Sequence, residues 1–102
     1  MRTIFVYITN PSKRVAKNIA KHLLEKKLIG CANIFPMESA YWWQGRIENA
    51  KEYVLICKTL ESKFAKLKRE VAKIHPYTVP CIAKINVRCN EKFANWLKDV
   101  LD

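Results

Sequence analysis

The sequence predicts one α+β domain over residues 1–102, a ferredoxin-like β-α-β-β-α-β sandwich with an added C-terminal helix. Residues 2–9 and 52–59 are apolar on both alternating faces, which is typical of central strands. Two amphipathic helical patterns with lysine-rich outer faces lie between the strands. Central strands at positions one and three predict the sheet order 4-1-3-2.

The first strand covers residues 2–9, and a helix follows it directly. We expect Asn10 to be the N-cap of this helix and Pro11 its first residue, because an amide side chain and a proline suit those two positions. Apolar rows at a spacing of four residues give the helix one buried face. The helix is expected to end near Gly30.

The middle of the chain predicts two strands joined through an aromatic hairpin. Residues 31–36 form the second strand, which Pro36 is expected to break. Residues 39–47 are extended and turn at Gly45, and residues 52–59 form the third strand.

The hairpin carries three successive aromatic residues, Tyr41, Trp42 and Trp43. Successive side chains of an extended segment point to opposite sides, so at least one of these rings cannot enter the core of its own chain. Adjacent exposed tryptophans indicate an interface. Simple packing at the edge of the sheet is the alternative.

The last third of the sequence predicts a helix, a strand and a final helix. A helix covers residues 62–74 and stops before Pro76. Residues 79–88 form an edge strand with one solvent-exposed face. The final helix begins at Glu91, and its inward-facing residues are predicted to be Phe93, Trp96, Leu97 and Val100.

The net charge of +10 invites a nucleic-acid interpretation. The element order is shared with RNA-recognition domains, and the first strand is similar to their short first-strand motif. The third strand lacks the aromatic pattern on which bases stack, and the lysines lie mostly on helix faces. A basic RNA-binding domain is therefore an alternative, and no specific nucleic-acid partner is expected.

Cysteine usage and hydropathy favour a cytoplasmic protein without a membrane partner. No stretch approaches the 18 apolar residues of a membrane span, and the apolar run 4–8 is too short for a signal peptide. The cysteines form no C-x-x-C pair, so we expect reduced, structural thiols. They are Cys31, Cys57, Cys81 and Cys89.

Short motifs along the whole chain carry a family resemblance. They are Cys31-Ala32-Asn33-Ile34 with Pro36; Ser39, Tyr41, Trp43, Gly45 and Ile47; Glu52; Lys58-Thr59; His75-Pro76-Tyr77 with Val79-Pro80; Asn90 and Trp96. In this order and spacing, the sequence resembles the CutA divalent-cation tolerance protein family. The resemblance implies a homotrimer of PII-like architecture and a role in tolerance of copper and other divalent cations. It implies no catalytic reaction, so the protein is not expected to be an enzyme.

His75 is the first candidate metal ligand, and Cys81 is a second one that could bind Cu(I). Some members of the family carry a further histidine where this chain has Ile74 and a cysteine where it has Ile8. No cofactor is required, and a divalent ion or Cu(I)/Cu(II) is the candidate bound species. The alternatives are a structural helix cap for His75 and a buried small residue for Cys81.

The resemblance also implies a crevice between subunits, lined by Tyr41, Trp43, Glu52, Lys58 and Tyr77. Lys58 is expected either to bind an anionic ligand or to pair with Glu52. The second function hypothesis is accordingly a PII-like trimeric sensor of a small anionic ligand.

Overall fold

A computed structural model describes residues 2–102 as one four-stranded antiparallel sheet with three helices. The sheet order is β2-β3-β1-β4, as predicted. The strands are β1 (Thr3–Asn10), β2 (Cys31–Trp43), β3 (Arg46–Leu60) and β4 (Ile82–Val87), and the helices are α1 (Lys13–Glu25), α2 (Phe64–Ile74) and α3 (Glu91–Leu101).

The core lies between one face of the sheet and the helices α1 and α2. Strand β1 buries Ile4, Val6 and Ile8 completely, and its register places Val6 beside Cys57 of β3. Helix α1 adds every third or fourth residue to the same cluster because those positions share one face. The buried helix residues are Ala16, Ile19, Ala20, Leu23, Leu67 and Val71.

The second face of the sheet is only partly covered. Helix α3 packs at one end, where Leu97 and Leu101 form a small cluster with Leu60. Farther along, Phe35 and Ile85 are 44% and 43% exposed. The two-sided apolar pattern of the central strands therefore contributes one face to the core and leaves much of the other available to a partner.

The start of α1 differs from the prediction. Asn10 is the last residue of β1 and is fully buried, while Ser12 is the N-cap and accepts a hydrogen bond from the Val15 N–H at 3.1 Å. The Asn10 amide instead donates to Ile8 O and Tyr53 O at 3.1 and 3.2 Å. Asn10 links the end of β1 to the middle of β3, so it is not available to cap the helix.

The second strand does not stop at Pro36, as the sequence suggested, but continues to Trp43. Because β2 is an edge strand, a proline whose missing N–H would point away from β3 costs no ladder hydrogen bond. The predicted turn at Gly45 is confirmed: Gln44 and Gly45 have φ of 49° and 81°, as in two-residue hairpin turns. The result is one long hairpin, β2–β3.

Two smaller expectations also change. Helix α1 ends at Glu25 rather than near Gly30, with Lys27 in the left-handed region at φ 54°. Trp96 is half exposed rather than turned inward, since Leu97 and Leu101 are the residues of α3 that face the sheet. Within residues 2–102, no helix is both long and apolar enough to cross a bilayer.

Candidate functional site

A groove of about 890 Å³ lies on the second face of the sheet, at the end away from α3. Its base comes from β1, β2 and β3, one wall from the outer half of the hairpin, and the other wall from the segment that follows α2. The lining residues are Tyr7, Thr9, Met37, Glu38, Ser39, Ala40, Tyr41, Trp42, Trp43, Glu52, Pro76, Tyr77, Thr78, Val79 and Cys81.

The central polar contact of the groove joins Tyr77 to Glu52. The Tyr77 hydroxyl donates to Glu52 Oε2 at 2.5 Å, and Glu52 is only 6% exposed. Burial, together with this hydrogen bond and the nearby carboxylate charge, raises the pKa of Tyr77 well above its ordinary value. The phenol therefore keeps its proton and acts as a donor to the carboxylate.

His75 positions Tyr77 and is nearly buried. Its Nε2 lies 2.9 Å from Thr9 O, and its Nδ1 lies 3.1 Å from the Tyr77 amide nitrogen. A carbonyl can only accept and an amide N–H can only donate, so the ring is the tautomer with hydrogen on Nε2. The His75 ring thereby connects the end of α2 to the end of β1.

This geometry bears on the proposed metal ligand. Both nitrogens of His75 already have partners, so a metal ion could bind either nitrogen only after a hydrogen bond breaks. His75 is the C-cap residue of α2, as the alternative interpretation expected, and its backbone N–H donates to Val71 O at 2.8 Å. The assignment of His75 as a ligand stays a prediction.

Within one chain, Lys58 does not line the groove, and its place in a crevice between subunits stays a prediction. It lies on the same face of β3 as Glu52 but six residues away, which is about 20 Å along a strand. Its Nζ is 5.4 Å from the centre of the Phe5 ring and 5.7 Å from that of Phe93. Within residues 2–102 of one chain, no ion pair involves Lys58 or Glu52, and their pairing between subunits stays a prediction.

The other predicted site residues do come together. Tyr41, Trp43, Glu52, Tyr77 and Cys81 all line the groove. Cys81 is exposed, which argues against its being a buried small residue.

Sequence reasoning missed three residues at the base of the groove, Tyr7, Thr9 and Met37. The Tyr7 hydroxyl lies 3.6 Å from Met37 Sδ, and Met37 pairs with Glu52 in the register of β2 and β3. The alternation of side chains along β1 places Tyr7 and Thr9 on the same face of the sheet. Only the register between strands brings that face to Glu52.

The charge of the groove is negative. Among the described residues that line it, the acidic ones are Glu38 and Glu52, and none is a lysine or arginine. The basic residues that give the chain its net charge lie outside the groove, and eight of the 19 are on α1 and α2. The groove is therefore electrostatically unsuited to an anion.

A metal centre is not assembled within the described part of one chain, where no three His, Cys, Asp or Glu side chains are grouped for ligation. The four cysteines are free thiols within that same part. Burial raises the pKa of Cys57 to about 12, with Cys31 adding to the effect, so this thiol stays protonated.

Comparisons with known proteins agree over nearly the whole chain. The family model described as CutA1 divalent ion tolerance protein matches residues 4–100. A divalent-cation tolerance protein CutA from Archaeoglobus fulgidus is 48% identical over 99 residues, which are 96% of this chain and 97% of that protein. A second protein of that name, from Thermococcus kodakarensis, is 42% identical over 102 residues, which are 99% and 98% of the two chains.

Solved structures give the same result. One described as the periplasmic divalent cation tolerance protein CutA from Archaeoglobus fulgidus has a TM-score of 0.96 at 46% identity, covering 98% of this chain and 99% of that one. CutA1 from Oryza sativa has a TM-score of 0.94 at 37% identity, covering 98% and 94%. The sequence motifs, the sheet order and these matches agree, and the chain belongs to the CutA1 divalent ion tolerance protein family.

Proposed function

We propose that the protein acts in tolerance of divalent cations, copper among them, as a homotrimer that binds or responds to metal ions without catalysing a reaction. The observation that carries the proposal is the family match over residues 4–100. The family description names a tolerance function and no reaction, which supports a role outside catalysis.

The trimer is supported by the surface of the single chain. Phe35 and Ile85 expose apolar side chains on the second face of the sheet, and Trp42 lies exposed near the end of the hairpin. Copies packed through this face would remove apolar surface from water, which is the main driving force for association. A hairpin that extends past the body of the sheet suits pairing with a neighbouring copy.

Metal binding is the part of the proposal to test first. Cys81 is exposed in the groove and is a soft ligand, while His75 would have to release Thr9 O or the Tyr77 amide in order to bind. Because no group of three ligands forms within the described part of one chain, we propose that ligands from more than one subunit complete the site.

The experiment is a calorimetric titration of Cu²⁺ and Zn²⁺ into reductant-free protein, with Cu(I) tested separately under reducing conditions. His75→Ala and Cys81→Ser are compared with wild type, and His22→Ala, whose ring bonds to Glu70 on the helix side, is the matched control. Saturable binding that weakens in the first two variants and persists in the control would support direct metal binding. Unchanged binding in both variants would remove these residues from the metal site.

A ligand-sensing function is the second candidate, and the groove itself favours it. A cleft of about 890 Å³ is within the usual size range of small-molecule sites. The negative lining argues for a cationic ligand in place of the anionic one first expected. The RNA-binding alternative gains no comparable support, because β3 shows Glu52, Val54, Ile56 and Lys58 on the second face where stacking aromatics would be needed.

We also propose a cytoplasmic location, on the basis of four free thiols. One relative is described as periplasmic, so the point needs a direct test. Fractionation of the native host, with the protein followed by antibody, should place it in the cytoplasmic fraction; recovery from an extracytoplasmic fraction would contradict the proposal.

A further inference from the structure

We propose that the exposed side of helices α1 and α2 binds the phosphate backbone of double-stranded DNA without preference for sequence. We call this surface the basic helical face and define it as residues 13–27 together with residues 64–74. The helices cover the first face of the sheet, so a trimer that forms through the second face leaves this surface in contact with solvent. The proposal adds a polyanionic partner to the role in tolerance of metal ions.

Positive charge is concentrated on the basic helical face. The face carries ten of the 19 lysine and arginine residues of the chain, but only two of its nine acidic residues, Glu25 and Glu70. The rest of the chain is almost balanced, with nine basic and seven acidic residues. Most of the net charge of +10 therefore comes from this one surface, whose potential is complementary to that of a polyanion.

The basic side chains of the face are accessible to a partner. All ten are exposed, and within residues 2–102 eight of them take part in no ion pair. The eight are Lys13, Arg14, Lys17, Lys21, Lys27, Lys66, Lys68 and Arg69. Like charges that are not paired repel one another, and a bound polyanion would relieve that repulsion.

Glu70 joins the two helices into one surface. Its Oε1 lies 2.9 Å from His22 Nε2 and 3.7 Å from Lys26 Nζ, while its Oε2 lies 3.2 Å from Lys73 Nζ. One carboxylate thus meets two lysines and a histidine, so no excess of negative charge lies between the helices to repel an anion. The lysines of α1 and α2 accordingly belong to a single continuous surface.

The spacing of the lysines along α1 suits a regular array of phosphates. Lys13, Lys17 and Lys21 follow one another at intervals of four residues, which is about 6 Å along the helix axis and about 12 Å in all. Duplex DNA carries one negative charge per about 1.7 Å of its axis, so several phosphates lie within that length. Because contacts to phosphate carry no sequence information, we expect no preference among base sequences.

The apolar residues of α1 and α2 argue against a membrane as the partner. A helix that lies on a bilayer inserts an apolar face, whereas the apolar faces of both helices are buried against the sheet. The large hydrophobic side chains exposed on the basic helical face are those of Leu24 and Ile74. Binding by electrostatic attraction to phosphates needs no such insertion.

The aromatic residues argue against single-stranded nucleic acid. Single strands bind where their bases stack on aromatic side chains, and neither helix contains tryptophan or tyrosine. Phe64, the one phenylalanine of the face, packs against the core. Double-stranded DNA is held through its phosphates alone, and the lysines and arginines of the face supply that kind of contact.

The test measures the fluorescence anisotropy of a labelled DNA duplex of about 20 base pairs as the full-length protein is added, with EDTA present. Two duplexes of unrelated sequence are compared between about 50 and about 200 mM KCl. We expect dissociation constants of about 1–100 μM that are similar for the two duplexes. The logarithm of the association constant should fall with the logarithm of salt concentration with a slope of about −3 or steeper.

Two variants locate the surface. Lys13→Gln, Lys17→Gln and Lys21→Gln combined remove three charges from α1, which should weaken binding about tenfold or more at the lowest salt concentration. The salt slope should become shallower by about 2–3, because each phosphate contact contributes about one unit. The second variant combines Lys66→Gln with Arg69→Gln on α2, and it should change both quantities in the same direction.

The matched control removes three exposed charges from another part of the chain, by combining Arg88→Gln, Lys92→Gln and Lys98→Gln. It should bind DNA as the wild type does at every salt concentration. Thermal unfolding and light scattering of each variant check that the fold and the oligomeric state are unchanged. All the substituted residues are exposed, so we expect both to be kept.

Four results would overturn the proposal. They are a salt slope near zero, wild-type affinity in both helix variants, an equally large loss in the control, and tighter binding of another polyanion. The other polyanions are a single strand, an RNA duplex of the same sequence, and vesicles of phosphatidylserine and phosphatidylcholine. Because EDTA excludes metal throughout, the outcome is independent of the metal titration, and either hypothesis can fail while the other stands.

Discussion

Tyr77 and Glu52 are 25 residues apart in the chain, and a hydrogen bond of 2.5 Å joins them at the centre of the groove. It ties the segment after α2 to the middle of β3 and holds a carboxylate that is almost removed from water. The His75 ring accepts a hydrogen bond from the Tyr77 amide and donates one to Thr9 O, so it connects the segment after α2 to β1. These three side chains therefore connect β1, β3 and the segment after α2.

Tyr77→Phe should destabilise the fold. The change removes the one side-chain donor to Glu52 among residues 2–102 and leaves the nearly buried carboxylate without that hydrogen bond, which costs about 1–3 kcal/mol. Chemical denaturation at neutral pH measures the change in the free energy of unfolding. Tyr41→Phe, at a half-exposed tyrosine of the same groove, is the control, and an equal effect of the two changes would contradict this role of Tyr77.

His75→Ala should lower the free energy of unfolding by about 2–4 kcal/mol, because two hydrogen bonds are lost and a small cavity forms in a buried position. Amide hydrogen exchange at Tyr77 should accelerate, since its N–H loses the acceptor Nδ1. The control variant is His22→Ala, which changes a histidine on the helix side of the sheet, away from Tyr77. Slow exchange at Tyr77 in the His75 variant would show that another group orients this segment.

Phe35→Glu should dissociate the proposed trimer, because it places a charge on the uncovered face of the sheet. Light scattering of the wild type at micromolar concentration should give about three times the chain mass of 11.9 kDa, and the variant should approach the chain mass itself. Leu24→Glu, at a residue of α1 with similar exposure, should leave the mass unchanged. A wild-type mass of one chain would refute the trimer.

The environment of Glu70 predicts that the fold loses stability at acidic pH. Hydrogen bonds from His22 and then Lys73 lower its pKa from 4.5 to about 2, so the folded state favours the charged carboxylate. The resulting stabilisation is complete above pH 4.5 and is lost as the pH falls toward 2, because the unfolded state then binds a proton more readily.

Thermal unfolding between pH 2 and 5 measures this effect. Glu70→Gln should reduce the loss of stability across that range, and Glu25→Gln, at an exposed glutamate of α1, should leave it as in the wild type. The same pH dependence in Glu70→Gln and in wild type would mean that other carboxylates dominate acid unfolding.

Local sequence patterns determined most of the architecture. Alternation at a period of two identified β1 and β3 as central strands, and the 3.6-residue period located the three helices. The hairpin turn followed from Gly45, because a two-residue turn needs left-handed backbone there. The same patterns misplaced the N-cap, since Asn10 suits a cap locally but is held between β1 and β3 by contacts that lie far apart in sequence.

The candidate site was only partly determined by the sequence, and the reason is the register of the strands. The resemblance gathered Lys58 and Glu52 into one crevice, and alternation does place both on one face of β3. Strand geometry separates them by about 20 Å within one chain, so an ion pair between them would have to join two subunits and stays a prediction. The resemblance placed Tyr77 with Glu52, but only the tertiary structure gave their hydrogen bond and the His75 ring that bonds to Thr9 O across 66 positions of the chain. Periodicity reports which face a side chain occupies, whereas the partner it meets there depends on contacts between distant segments.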